Sequence, residues 1–180
     1  MSTRGPLRDR LDRFLMESRA TVEGLDESEL AVFVDFLRSA PRRVVFGLGR
    51  SGDMLRAFAD GLVTSSHETR VLFTPGVGRI RETDILLLAS ATASSSTLGA
   101  LAEEGRGRGG RVALITANAL SPLARSAAAR LTLPPLLSQT AEPGGEGAAL
   151  ASMQLRFDHA LLFVLDAIAH EMGARYDDHG

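Results

Sequence analysis

Arg43-Val44-Val45-Phe46-Gly47-Leu48-Gly49-Arg50-Ser51-Gly52 decides the fold of this chain. Its first half is a short β-branched apolar run that reads as a buried strand, and its second half breaks into glycines that read as a tight turn. A helical apolar spacing follows at once, with Met54, Leu55, Phe58, Leu62 and Val63. A buried strand turning directly into a helix is the opening of a βαβ unit. Ser51 then falls near a helix N-terminus, where unpaired backbone N–H groups favour an anion.

The same alternation continues downstream. Arg70 to Phe73, Ile85 to Ala89, Val112 to Thr116 and Leu131 to Leu133 read as further short strands. Helical patterns lie between them at Leu98 to Glu104 and after Ser121-Pro122, where proline takes the first helical position. Continuously apolar strands alternating with helices predict a parallel sheet covered on both faces. Upstream, Leu7, Leu11, Phe14 and Leu15 form one helical stripe. Asp26 with Glu29 three residues later caps a second helix, which Pro41 ends. Downstream, Leu136 to Gly147 reads as a loop and Leu150 to Met172 as a long helix with a broad apolar face. The expected arrangement is one domain over residues 1–180. It comprises N-terminal helices (1–41), a five-stranded parallel sheet with crossover helices (43–133) and a C-terminal helix (150–172), a three-layer α-β-α sandwich.

Composition narrows the chemistry. The 180 residues include no cysteine, so disulfides, thiolate metal sites and thiol nucleophiles are excluded. Every basic side chain is arginine, which removes Schiff-base chemistry and a Walker-type lysine. Net charge is −2, against a large nucleic-acid footprint. No apolar run approaches the ~20 residues of a membrane helix, and a cytoplasmic protein is expected. The scattered histidines offer no metal spacing, and no cofactor is expected.

Two polar loops lie beyond the carboxyl ends of predicted strands, where ligands bind open α/β sheets. The first is Gly47 to Gly52, contributing Gly49, Arg50 and Ser51. The second is Ser90 to Thr97, with Ser90, Thr92, Ser94 and Ser95 among six hydroxyls at one strand-to-helix junction. Capping a helix needs one such residue; hydroxyls in this number suit phosphate oxygens or sugar hydroxyls.

Gly47-Leu48-Gly49-Arg50-Ser51-Gly52 resembles the first phosphosugar loop of sugar isomerase (SIS) domains, most closely that of 6-phospho-3-hexuloisomerases. The resemblance runs on through Ala57-Phe58-Ala59, Asp84 to Thr116, Ser121-Pro122-Leu123-Ala124, Phe157 and Leu165-Asp166-Ala167. It implies a flavodoxin-like strand order, a phosphosugar ligand, a homo-oligomer (dimer or tetramer), and a carbonyl moved along a sugar phosphate through an enediolate. The family's glutamate base falls on Asp158, with His67 or His159 as candidate acid partner. The alternatives for these residues are a solvated or ion-paired helix carboxylate and histidines that fill core or surface. Adjacent helix positions point about 100° apart, so Asp158 and His159 are not expected to share one pocket.

The departures from the family are specific. Its Ser-Gly-Ser-Gly-Glu-Thr loop is here Ser90-Ala91-Thr92-Ala93-Ser94-Ser95, and a reshaped loop is expected because alanine disfavours positive φ. The family's helix arginine and histidine are Gly61 and Thr64. Asp166 is expected to be structural, paired with an arginine or with backbone. Two functions stand: a phosphosugar isomerase, either hexuloisomerase-like or recruited to a different sugar phosphate in a specialised pathway, or a phosphosugar-binding or regulatory protein that kept the pocket without the chemistry.

Overall fold

The computed structural model describes residues 5–62, 68–134 and 145–173. His67, Thr64 and most of the expected 136–147 loop lie outside them. In chain order the elements are α1 (Pro6–Glu23), α2 (Glu27–Arg38), β1 (Arg42–Gly47), α3 (Gly49–Gly61), β2 (Glu68–Val71), β3 (Ile85–Ala89), α4 (Ser96–Gly107), β4 (Arg111–Thr116), α5 (Pro122–Ser126), β5 (Ala129–Thr132) and α6 (Gly145–Glu171). The sheet is five-stranded and parallel throughout, in the order β2-β1-β3-β4-β5. This is the expected α/β sandwich. The strand order reverses between β1 and β3, which puts the topological switch point beside the two polar loops.

Alternate side chains of each strand enter opposite cores, because successive strand residues point to opposite faces. Val45, Leu87, Ala113, Ile115 and Leu131 pack with α2, α3 and α6. Val44, Leu86, Leu88, Val112 and Leu114 pack with α4 and α5. β3 is buried at all five positions, as befits the central strand.

Two arginines brace the sheet at its amino end. Arg42 donates from Nε to Asp84 Oδ1 at 2.9 Å and from Nη1 to the Val77 carbonyl at 2.9 Å, tying the 77–84 loop to β1. The Asp84 hydrogen bond, outweighing burial, raises the Arg42 pKa. Arg43 is buried completely and donates to the carbonyls of Leu37, Ala40 and Glu68, linking α2, β1 and β2. Its burial lowers its pKa.

Three local differences from the sequence reading have physical causes. β2 stops at Val71 because Phe73 takes a left-handed φ of 66° and Thr74 turns back onto the Val71 carbonyl. α4 begins earlier and ends later than expected: Ser95 caps it, and Gly105 continues the helix where its bare Cα packs beside Ile80 and Leu86. In α1 three of the four stripe residues face outward, while Phe14 meets the His159 ring. Leu7, Leu11 and Leu15 are 70%, 47% and 62% exposed. The helix instead lays Ser18 and Thr21 inward and pairs Glu17 with Arg156 of α6 at 3.2 Å. Ser18 and Thr21 satisfy themselves on the carbonyls one turn back, of Phe14 and Glu17. Asp166 is also on the outside; among the described residues neither an arginine nor a backbone group pairs with it.

Candidate active-site cleft

Gly49 opens α3 with a φ of +56°, a conformation that glycine enters without a Cβ clash. One turn on, a Cβ at Gly52 would sit 2.4 Å from the Gly47 carbonyl oxygen, so glycine alone permits the strand end and helix to approach this closely. No side chain caps α3. The tight turn swings Arg50 and Ser51 over the carboxyl end of the sheet.

The second loop holds its shape through its own hydroxyls. Ser90 Oγ accepts from the Ala93 N–H at 3.1 Å, Thr92 and Ser94 share a hydrogen bond at 2.9 Å, and Ser95 Oγ accepts from Leu98 N–H to cap α4. Ala93 adopts φ 48°. A left-handed alanine thus stands where the resembled family has its second glycine, at a cost of about 1–2 kcal/mol for an L-residue. The Ser90 hydrogen bond and burial of the Ala93 methyl group hold this conformation.

α6 closes the cleft. Asp158 is 1% exposed and Ser51 is 2% exposed. Ser51 Oγ donates to Asp158 Oδ1 at 2.7 Å. Gln154, one turn before Asp158, donates from Nε2 to the same Oδ1 at 3.1 Å and to Ser51 Oγ at 3.3 Å. Asp158 Oδ2 accepts no hydrogen bond from a described residue. Arg50, 56% exposed, brings its Nε within 3.6 Å of that oxygen, an ion-pair distance beyond hydrogen-bond reach.

The resulting cleft has a volume of about 300 Å³, within the range of small-molecule sites. It gathers Gly49, Arg50, Ser51, Ser90, Thr92, Ser95 and Asp158. Ser94 stands one step back, hydrogen-bonded to Thr92. His159 is not brought to the cleft wall: its ring meets Phe14 of α1 edge-on, 5.1 Å between centroids. Burial first, and then the nearby Arg50 charge, push its imidazole pKa below the usual range. The 100° turn per residue that separates Asp158 from His159 is the reason. Gln154 was not legible as a site residue. Its four-residue spacing from Asp158 was the available signal, and it became informative only once Asp158 was known to face Ser51. Among the described residues no cluster of three His, Cys, Asp or Glu side chains is placed to hold a metal. None of the described helices is long and apolar enough to cross a membrane.

No protein-family model matches the chain. An uncharacterised protein of Methanothermobacter thermautotrophicus is 26% identical over 137 residues, 76% of this chain and 68% of its own. Among solved structures, a Methanococcus jannaschii protein, whose structure was reported to infer a molecular function of 3-hexulose-6-phosphate isomerase, superposes with a TM-score of 0.73. The two chains are 19% identical, covering 91% of this chain and 89% of that one. The Vibrio vulnificus NanR protein complexed with ManNAc-6P superposes with a TM-score of 0.72 at 18% identity, covering 95% of this chain and 63% of that one. At such identities the likeness is one of architecture: the chain has the α/β sandwich that these proteins have.

Proposed function

We propose that this protein is a phosphosugar isomerase resembling the 6-phospho-3-hexuloisomerases. The observation that carries the reading is one cleft holding both a hydroxyl-rich loop and a buried carboxylate, one oxygen of which accepts no hydrogen bond from a described residue. A sugar phosphate needs both. Its phosphate would take hydrogen bonds from Ser90, Thr92 and Ser95 and charge from Arg50, beside the backbone at Gly49. Its carbonyl end would face Asp158.

In the reaction, a C–H proton beside the carbonyl passes to Asp158. The C–H electron pair becomes the double bond of an enediolate, and the carbonyl oxygen takes up a proton. Asp158 then returns its proton to the former carbonyl carbon while the neighbouring hydroxyl gives up its own, so the product is an isomer and no co-reactant is consumed. A proton shuttle between the two oxygens is still required. With His159 turned to Phe14, His67 is the candidate for that role. The reading includes a cytoplasmic location, where phosphorylated sugars are retained, and a homo-oligomer.

The second reading is a phosphosugar-binding or regulatory protein. It is favoured by Gly61 and Thr64 in place of the resembled family's arginine and histidine, and by the Ser51 proton being directed into the protein. Incubation with arabino-3-hexulose 6-phosphate, assayed for fructose 6-phosphate, separates the two. The isomerase reading expects turnover that falls at least 100-fold in Asp158→Asn. Thermal stabilisation by phosphosugars without turnover, unchanged in Asp158→Asn, would favour the regulator. No turnover and no stabilisation by any phosphosugar would defeat both.

A further inference from the structure

We infer that Gln154 is the positioning residue of the candidate base: with Ser51 it commits Oδ1 of Asp158 to the protein and leaves Oδ2 as the oxygen that takes the substrate proton. This rests on the isomerase reading and goes beyond it, because it assigns the two carboxylate oxygens different roles.

A glutamine carboxamide has two N–H groups and a serine hydroxyl has one proton. Gln154 places its nitrogen within reach of both Asp158 Oδ1 and Ser51 Oγ, at 3.1 and 3.3 Å. Ser51 spends its proton on the same Oδ1, at 2.7 Å. The three groups thus close a ring whose sense is fixed. Were the amide turned over, its oxygen would face a carboxylate oxygen at 3.1 Å, acceptor against acceptor. Gln154 and Asp158 share one face of α6 by their four-residue spacing, whereas Ser51 arrives from α3. The ring therefore also locks the carboxylate plane against the cleft.

Two consequences follow. Oδ1 carries two donors, while Oδ2 accepts no hydrogen bond from the described residues and has only the Arg50 Nε beside it, at 3.6 Å. In the proposed step the C–H proton therefore goes to Oδ2, and the same atom returns it to the neighbouring carbon. Ser51, its proton committed, can offer a phosphate only its oxygen. The hydroxyl donors for the phosphate come instead from Ser90, Thr92 and Ser95, with Arg50 lying in the cleft beside Asp158 Oδ2.

The test compares steady-state kinetics of the wild type, Gln154→Leu and Gln154→Glu on a phosphoketose that the wild type turns over, across pH 5 to 9, with thermal unfolding of each. Leucine keeps the volume and removes both donors. Its kcat is expected to fall about 10- to 100-fold, with KM changed less than about threefold, since the reacting oxygen is misplaced while the phosphate donors remain. The carboxyl group introduced by Gln154→Glu can donate only while it shares a proton with Asp158. That variant is expected to approach wild-type kcat at the acid end and to lose it as pH rises, a profile that a packing role would not produce. An unchanged kcat in Gln154→Leu, or equal losses in both variants at every pH, overturns the inference while leaving the isomerase reading intact. Should Gln154→Leu fail to fold, the Gln154→Glu profile decides alone. A wild type inert toward every phosphosugar defeats the isomerase reading itself, and this inference with it.

Discussion

Ser51 gives its hydroxyl proton to Asp158, 107 residues further along the chain, at 2.7 Å, with both side chains buried. The contact pins α6 to the turn that starts α3 and sets the cleft carboxylate in place. Replacing Ser51 with alanine removes a donor to a buried charge, worth about 1.5–3 kcal/mol. The expected outcome is a lower midpoint in thermal or urea unfolding together with reduced kcat. A Ser51→Ala protein as stable as wild type would show that the bond contributes nothing net.

The phosphate end of the cleft can be addressed separately. Thr92→Val keeps the branched shape but deletes the hydroxyl that meets Ser94. Loss of one hydrogen bond to a charged phosphate should raise KM for a phosphosugar at least about tenfold. Binding of the matching unphosphorylated sugar should hardly change. Equal weakening of both ligands, measured by calorimetry, would place the phosphate elsewhere.

Arg42 and Asp84 form a buried ion pair far from the cleft chemistry, with the aspartate also accepting from the Arg81 N–H at 2.7 Å. Asp84→Ala strands the Arg42 charge in the interior and should destabilise the fold by roughly 3–5 kcal/mol. Chemical denaturation measures this directly. A loss below about 1 kcal/mol would mean that Arg42 finds enough compensation in the carbonyls of Val77 and Arg79.

His159 gives a pH signature. Its folded-state pKa is lowered, chiefly by burial, relative to the unfolded value near 6.5. Between the two values the unfolded chain binds the extra proton. The residue's contribution is therefore present above about pH 6.5 and is lost as pH falls below it. His159→Phe, which keeps a ring against Phe14, should show a shallower stability loss between about pH 7.5 and 5.5 than the wild type. Parallel curves for the two proteins would rule the histidine out as the source.

The outward leucine stripe of α1 predicts self-association. Leu7, Leu11 and Leu15 recur at four-residue spacing on the exposed face, and Phe163 of α6 is half exposed. Apolar surface of this pattern marks an interaction site. Sedimentation should give a mass that is a multiple of 19.1 kDa. Leu11→Arg should shift it toward the single chain without altering the helical signal. A wild type that sediments as one chain at tens of micromolar would count against the oligomer.

The sequence by itself determined the architecture. Period-two and period-3.6 patterns, the Asp26 cap, Pro122 and the Gly47–Gly52 turn are local signals, and the unbroken apolar run of Ile85 to Ala89 already required cover on both faces. The two loops that carry Ser90, Thr92 and Ser95, and Arg50 and Ser51, were readable for the same reason: they are the polar breaks at strand ends. The tertiary structure decided what those residues do. Whether Ser51 donates to a ligand or to Asp158, whether His159 faces the cleft or Phe14, and that Gln154 matters at all depend on how α6 lies against α3 and α1. That packing is set by contacts separated by about a hundred residues. The same holds for α1, whose stripe leucines are exposed in the structure. A helix stripe announces that it must be covered, but not by what, because periodicity encodes a face and only the assembled neighbours supply its partner.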